Sequence, residues 1–480
     1  MSSKKLVINK ESFVTIKKGD ITQNYEIIKK IGEGGYGKIY KVKNKESGDI
    51  RAMKQIMKSK IPDIEKFQNE IKILSMVDHP NIVRLFEVIE DDKYFNLLQE
   101  LCTGGELLSK VKYISNEKEI AKIFKQIMSA IAYCHEKGIV HRDMKLENIL
   151  FVNESEDSPI KIIDFGLSVL FDKKEKETDT DSKKIGYKRM KTKVGTIYYM
   201  SPEILKGNYD EKCDIWSCGV ILYTLLSGYP PFNGANDKEI YSMISQIQYD
   251  FNQPCWKNIS KYAKELIKNM LTPAKNRYTA IQVLNSKWIT VKLRKNDEKT
   301  NYYLDYKNIE KYKSYNKFKQ TILAFIASRL SSEESEKIRN IFYGIDEGKK
   351  GFITYEDFSN YIINECDIDE ITDNQEDIKK AFRSVDIDHN NKIDYTEFLA
   401  ANLEENIFLK EEKLKEAFRT FDLDDTGYIK KEDIIRVLKL NDLKEKDTIV
   451  DKIIKNNDYD KDGKISFNDF VKIMKNNEEK

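Results

Sequence analysis

A chain of 480 residues, 40% hydrophobic and 34% charged, has room for two or three domains that each bury a core. Its formal net charge is +2, but residues from Asp346 onward carry −12 and the rest +14, with the basic excess dispersed in a way that argues against nucleic-acid binding. No apolar run approaches the roughly 20 residues that span a bilayer, and the six cysteines (Cys102, Cys134, Cys213, Cys218, Cys255, Cys366) lack disulfide or zinc spacing.

After an N-terminal extension of residues 1–24, which has neither an apolar signal segment nor a glycine at position 2 for myristoylation, residues 25–288 read as one mixed α/β unit. Strand-like runs Tyr25–Ile31, Gly37–Val42, Arg51–Gln55 and Tyr94–Leu98 come first, and helical periodicity follows. Gly32-x-Gly34-x-x-Gly37 falls between two of these strands. Dinucleotide-binding folds share that spacing, so the motif alone decides little. Placed in a hairpin, however, its glycines would let backbone amides close on phosphate oxygens. Lys54 is positioned to reach such phosphates. Glu70 is the candidate to hold Lys54 in an ion pair, with Glu65 as the alternative.

The stretch His141-Arg142-Asp143-Met144-Lys145-Leu146-Glu147-Asn148 supplies the chemistry. Asp143 can take the proton of a substrate hydroxyl, and Lys145 can neutralise charge on a transferring phosphoryl group. Asn148 and Asp164, the latter in Asp164-Phe165-Gly166, offer oxygen ligands for magnesium. These ordered motifs resemble those of the eukaryotic protein kinase family across the whole 25–288 unit. Asp143-x-Lys145-x-x-Asn148, with Gly195-Thr196 ahead of Pro202-Glu203, resembles the serine/threonine branch. Ser201 and Arg51-Ala-Met-Lys54 depart from the family pattern without removing a charged catalytic group. The resemblance implies a bilobal α+β fold that uses ATP and magnesium. It further implies a nucleotide pocket lined by Gly32, Gly34, Gly37, Ile39, Ala52, Lys54, Gln99, Glu100, Cys102 and Glu106. Glu106 and Glu147 match positions that receive a basic residue upstream of the phosphoacceptor, so substrates with Arg three residues before Ser or Thr are expected; ordinary surface carboxylates are the alternative. The polar segment 171–191 is expected to be a mobile loop, with Thr178, Thr180, Ser182 and Thr192 as phosphosite candidates that Arg142 could pair with.

Residues 291–306 read as a linker. Lys307–Leu330 then reads as one basic amphipathic helix, with Ile309, Tyr312, Tyr315, Phe318, Ile322, Phe325 and Ile326 on its apolar stripe. Two readings stay open: a surface helix packed on its own domain, or a regulatory helix that changes partners.

Loop-starting aspartates follow at 346, 386, 422 and 458, a repeat of one supersecondary unit. A twelve-residue calcium loop needs oxygens at positions 1, 3 and 5, a backbone carbonyl at 7 and a carboxylate at 12. Asp386, Asp388, Asn390, Lys392 and Glu397 meet this, with Asn391 in place of glycine at position 6. Asp458, Asp460, Asp462, Lys464 and Asp469 form a second candidate, closed by a shorter carboxylate. Asp422, Asp424, Thr426, Tyr428 and Asp433 form a weaker third. The first repeat has Gly348 and Lys350 where donors belong and is expected to bind no metal. Ile353, Ile393, Ile429 and Ile465 occupy position 8, where paired loops meet.

Kinase, basic junction and four EF-hand repeats in this order resemble the calcium-dependent protein kinases of plants, apicomplexans and ciliates, and the junction text Lys317-Phe-Lys-Gln-Thr-Ile-Leu-Ala-Phe-Ile-Ala is similar to theirs. The resemblance implies a calcium-activated Ser/Thr kinase with an all-α EF-hand domain over 331–480, held shut by the junction (289–330) until calcium draws that helix away. A monomer in the cytoplasm, with no membrane anchor of its own, is expected. Control mainly by loop phosphorylation is the nearer alternative. A catalytically dead calcium-sensing scaffold is the other, although the lysine and both aspartates it would lose are present.

Overall fold

The computed structural model describes residues 13–34, 37–114, 116–170, 196–293, 302–365, 375–438 and 446–476. The polar segment 171–191, the four candidate phosphosites Thr178, Thr180, Ser182 and Thr192, and Cys366 lie outside these residues.

A six-stranded sheet forms the smaller of the two lobes expected for the 25–288 unit. In chain order the strands are β1 (Thr15–Lys18), β2 (Tyr25–Gly34), β3 (Gly37–Asn44), β4 (Ile50–Met57), β5 (Leu85–Glu90) and β6 (Tyr94–Gln99), arranged β1-β5-β6-β4-β3-β2. Pairing is antiparallel except for β1, which runs parallel to β5 with Thr15 opposite Glu87. Two of these strands were not anticipated. Leu-Phe-Glu-Val-Ile-Glu of β5 is buried almost throughout, so it lacks the alternation that betrays a half-exposed strand. Thr-Ile-Lys-Lys of β1 is a short edge strand whose lysines cover an exposed rim. It lies in what the sequence suggested was an extension outside the kinase unit.

Helix Ile64–Met76 starts at Asp63, whose carboxylate accepts the N–H groups of Glu65 and Lys66. Its apolar stripe packs on the sheet and carries Glu70 inward. The larger lobe is built around helices Glu117–Glu136 and Lys212–Ser227, the second buried along nearly its whole length. The expected linker is structured at both ends: helix Lys287–Lys292 runs into it, and Leu293 and Leu304 are buried.

The junction departs from expectation. Instead of one helix there are two, Tyr306–Ser314 and Lys317–Ser328. Asn316 breaks them by accepting the Lys319 N–H through its side chain, which caps the second helix and leaves Tyr315 extended. The apolar stripe resumes in phase after the break, so its periodicity conceals the interruption. Residues 318–327 are all buried, Lys319 included, and its ammonium donates to the carbonyls of Met474 and Asn476 at 2.9 and 2.8 Å.

What encloses that helix is the EF-hand module. Short strands join its loops in pairs, Phe352–Ile353 with Ile393–Asp394 and Tyr428–Ile429 with Ile465–Ser466, so that Ile353 faces Ile393 and Ile429 faces Ile465 as anticipated. The largest hydrophobic core belongs to residues of the 25–288 unit, with Phe352 of the C-terminal module joining it; another unites that module, both junction helices and Phe13.

Candidate functional site

Lys54 on β4 places its ammonium 3.2 Å from Glu70 Oε1 and 3.3 Å from Asp164 Oδ1, which brings three distant stretches of chain to one point. Burial alone would lower this ammonium's pKa, but the two carboxylates more than offset it and hold the group charged. Glu70, not Glu65, is therefore the ion-pair partner in this structure. Asp164 is likewise kept ionised against burial by Lys54 and by the Gly166 N–H.

The catalytic-loop residues cluster as the sequence suggested. Lys145 Nζ lies 2.6 Å from Asp143 Oδ2 and 3.4 Å from Thr196 Oγ1. Asn148 uses its amide nitrogen on the Asp143 carbonyl and carboxylate (2.8 and 3.1 Å), which leaves its amide oxygen for a ligand. A carboxylate held in this way can accept a proton while the lysine covers negative charge on an incoming group.

Sequence reasoning missed what shapes this loop. Asp214, fully buried on helix Lys212–Ser227, accepts N–H groups from His141 and Arg142 (2.9 and 2.8 Å) and pairs with His135 Nε2 at 2.9 Å. Arg142 consequently sits at φ 68°, a left-handed conformation held by its neighbours. His141 is buried against Phe165 with ring centroids 4.8 Å apart, and burial lowers its pKa despite Asp214 beside it. A charged residue inside an otherwise apolar helix was the available signal for Asp214. Arg142 donates to the Leu167 carbonyl and the Tyr209 hydroxyl.

Among the residues expected to line a nucleotide pocket, Gly37 packs so tightly that an added Cβ would lie 2.0 Å from the Gln55 carbonyl oxygen, so no larger residue fits. Gly34 pairs with Gly37 at the hairpin end, and Gly32 lies against Ile39. Ala52 and Gln99 are direct partners across β4 and β6. The Glu100 side chain turns from the pocket to meet the buried Lys161 at 2.7 Å, so only its backbone is available there. Cys102 is half-buried, its thiol pushed up to about 12 by burial and then by Glu100. Glu106 is exposed at the start of the short helix Leu107–Lys110. Glu147 accepts a 3.3 Å hydrogen bond from the Tyr199 hydroxyl.

All four EF-hand loops adopt one backbone form. Positions 4 and 6 have positive φ in each: Lys349 and Gly351, His389 and Asn391, Asp425 and Gly427, Lys461 and Gly463. Asn391 therefore takes the left-handed turn that glycine takes in the other three. In the second loop Asp386, Asp388 and Glu397 each bring a carboxylate oxygen within 4.8 Å of the others, as do Asp458, Asp460 and Asp462 in the fourth. Burial, then Asp388, raises Asp386 to about 6. Such hard oxygen sets suit calcium. In the third loop Asp433 is buried, and its Oδ1 has no hydrogen-bond partner among the described residues. Asp422 there bonds Thr426 and Gly427, and Asp424 lies 3.8 Å from Arg436. In the first loop Lys350 Nζ stands 3.7 Å from Asp357, a tethered cation inside the loop. The side chains of Lys392, Tyr428 and Lys464 point away from metal duty: Lys392 pairs with Glu136, and Lys464 lies over the Tyr428 ring.

The module meets the kinase through complementary helix ends. Asp78 accepts the Thr396 N–H and hydroxyl at 2.9 and 2.7 Å, capping helix Tyr395–Ala401. Arg84 reaches the carbonyls of Ala327, Ser328 and Leu330 at the end of the second junction helix (3.3–3.5 Å). Gly351 abuts His79 so closely that a Cβ would stand 2.2 Å from the ring, and Tyr343 donates to Asn81 at 2.9 Å. Arg51 pairs with Glu416 of the module.

Comparison with known proteins agrees with this architecture. The protein kinase domain family matches residues 25–289, and the EF-hand domain pair family matches 335–401 and 411–475. Calcium-dependent protein kinase 5 of Plasmodium berghei (strain Anka) is 41% identical over 402 residues, covering 82% of this chain and 68% of the relative. Calcium-dependent protein kinase 5 of Plasmodium falciparum (isolate 3D7) is 40% identical over 410 residues (84% and 68%), and calcium-dependent protein kinase 4 of the same organism 36% over 439 (85% and 80%). No helix among the described residues is long and apolar enough to cross a membrane. With an assembled phosphoryl-transfer cluster joined to paired EF-hands, and with relatives of that composition along most of its length, the chain belongs to the calcium-dependent protein kinase family, Ser/Thr protein kinases that use ATP, magnesium and calcium.

Proposed function

We propose that this kinase is held inactive by its junction and that the arrangement described here is the released, active one. A single observation carries the reading: the second junction helix is engulfed by the EF-hand module while Lys54, Glu70 and Asp164 stand within ion-pair distance. A helix buried on nearly every face by its own module has no surface left for the substrate side of the kinase. Without calcium, the module loosens and the helix returns to that side. Reversing a 1:99 equilibrium needs roughly 5.5 kcal/mol of differential binding, so about 1.8 from each of three calcium sites.

In the released state Asp143 accepts the proton of the substrate hydroxyl, Lys145 covers the charge that develops on the transferring phosphoryl group, and Glu70 keeps Lys54 on the nucleotide phosphates. Asn148 and Asp164 would hold magnesium, which when bound neutralises phosphate charge. Loops two, three and four hold calcium in this reading, and loop one, filled by Lys350, does not. Glu106 and Glu147 would receive a basic residue upstream of the target Ser or Thr. The proposed division is residues 25–288 for the kinase, 289–330 for the junction and 331–480 for the EF-hand domain. We place the protein in the cytoplasm as a monomer. Control mainly by loop phosphorylation is the alternative, and the same assay on a chain with alanine at the candidate phosphosites separates the two.

The test is phosphorylation of a peptide with Arg three residues before Ser, with and without EGTA. Activity should need calcium, and removal of residues after about 300 should give calcium-independent activity above the metal-free parent. Equal rates with and without EGTA would reject the switch.

A further inference from the structure

The segment ahead of the kinase fold has no part in the reading above, yet the structure ties it to both halves of the protein. We propose that residues Phe13–Lys18 act as a strap between the smaller kinase lobe and the sequestered junction helix, so that this segment sets how much calcium activity requires. The proposal rests on the released-state reading.

Its basis is a change of core within one peptide bond. Phe13 is 5% exposed and belongs to the core of the EF-hand module, whereas Val14 packs against the core of the kinase. From Thr15 the chain pairs with β5, and the pairing ends where Gly19 N–H donates to the Glu90 carbonyl at 3.0 Å. The strap is thus anchored to the kinase by backbone hydrogen bonds and projects one aromatic ring across the interface. That ring meets Phe325 of the second junction helix edge to face, with centroids 5.9 Å apart.

Arg329 supplies an independent observation. This guanidinium, just past the same helix, is 7% exposed and lies over the rings of Phe325 (4.8 Å) and Phe86 of β5 (5.2 Å). Its Nη2 donates to the Phe13 carbonyl at 2.8 Å, while Nε and Nη1 have no hydrogen-bond partner among the described residues. A buried guanidinium that depends on the strap's carbonyl makes the contact costly to break. When the junction helix leaves the module, Phe325 and Arg329 leave with it and the ring of Phe13 loses its site. Strap closure and calcium binding therefore favour one another.

The experiment uses the full chain with Phe13→Ala, Phe13→Leu and Ile16→Ala, the last at an exposed β1 side chain. Two readouts are taken: the calcium midpoint of peptide phosphorylation, and deuterium exchange of residues 317–330 in calcium. Phe13→Ala should raise the midpoint three- to fivefold and speed exchange at the end of the junction helix. Leucine should shift it less than twofold, and Ile16→Ala not at all. An unchanged midpoint with unchanged exchange in Phe13→Ala would overturn the strap. Should the parent itself ignore calcium, the released-state reading falls and exchange alone decides: lost protection supports the strap, and equal protection rejects it. Should alanine unfold the smaller lobe, seen as lost ATP binding, Phe13→Val must show a shift of the same sign, and its absence counts against the proposal.

Discussion

Removing Glu416 tests whether the EF-hand module stabilises the active arrangement by docking or merely by taking the junction away. The Arg51 side chain is 3% exposed and that of Glu416 13%, so their ion pair is largely out of water. Arg51 also holds the Tyr25 hydroxyl at 2.6 Å and Glu87 at 3.2 Å, both within the kinase lobe. Glu416 is thus the partner the module brings, and it is the main charge supporting buried Arg329 as well. Breaking a buried pair from one side costs about 3–5 kcal/mol when the remaining charge is left alone. Because Arg51 keeps Glu87, the cost falls below that range, to about 2–3 kcal/mol, or roughly 30- to 150-fold in the docking equilibrium. With about three calcium ions bound per release, that penalty spreads over three binding events and raises the calcium midpoint about three- to fivefold. The assay is a calcium titration of peptide phosphorylation with Glu416→Gln, Arg51→Met and the double variant. Arg51→Met also disturbs the kinase lobe, and the cycle cancels that effect. A midpoint shift in Glu416→Gln below 1.5-fold, or fully additive single variants, would exclude this docking role for the Arg51–Glu416 pair.

Other outcomes follow from the same geometry. Asp143→Asn should lower single-turnover phosphorylation by about 10²–10⁴-fold while ATP affinity, read by equilibrium titration, stays within twofold. Glu397→Gln replaces the closing carboxylate of loop two, and calorimetry should show its calcium affinity falling at least tenfold with loop four retained. His79 makes stability depend on acid. Its Nδ1 accepts the Asn81 N–H and its Nε2 meets Ser129 Oγ, so the ring is neutral, and burial pushes it down to about 3 from an ordinary 6.5. Between those values the unfolded chain binds the extra proton, so the stability is fully present above about pH 6.5 and is lost as pH falls toward 3. At pH 5 the loss is about 2 kcal/mol, at 1.36 per unit below 6.5. Denaturant melts at pH 7 and 5 should show it, and a His79→Gln variant whose stability falls as much as the parent's would contradict the assignment.

Much of the catalytic centre was legible because its chemistry admits few residue types. The residues proposed as proton acceptor, phosphate-binding lysine and magnesium ligands, Asp143, Lys54, Asn148 and Asp164, stand in recognisable spacings, and the structure brings Lys54 to Asp164 and Asn148 to Asp143. The calcium loops were legible for the same reason, down to Asn391 at the left-handed position. Asp214 was not, because a carboxylate that binds backbone N–H groups leaves no spacing motif. Nor was the break at Asn316, where the stripe of the junction continues in phase on either side.

Local chemistry determined the ligands, the loops and the order of the parts, since each is a pattern of neighbouring residues that any fold must respect. Where the parts sit was decided in three dimensions. Asp78 capping a helix that begins more than 300 residues later, Arg84 on the last carbonyls of the junction, and Phe13 crossing from one core to the other are pairings of side chains with no sequence proximity. Each member is unremarkable on its own stretch of chain. Only packing, which buries a charge or a ring against a partner distant in sequence, gives it a role.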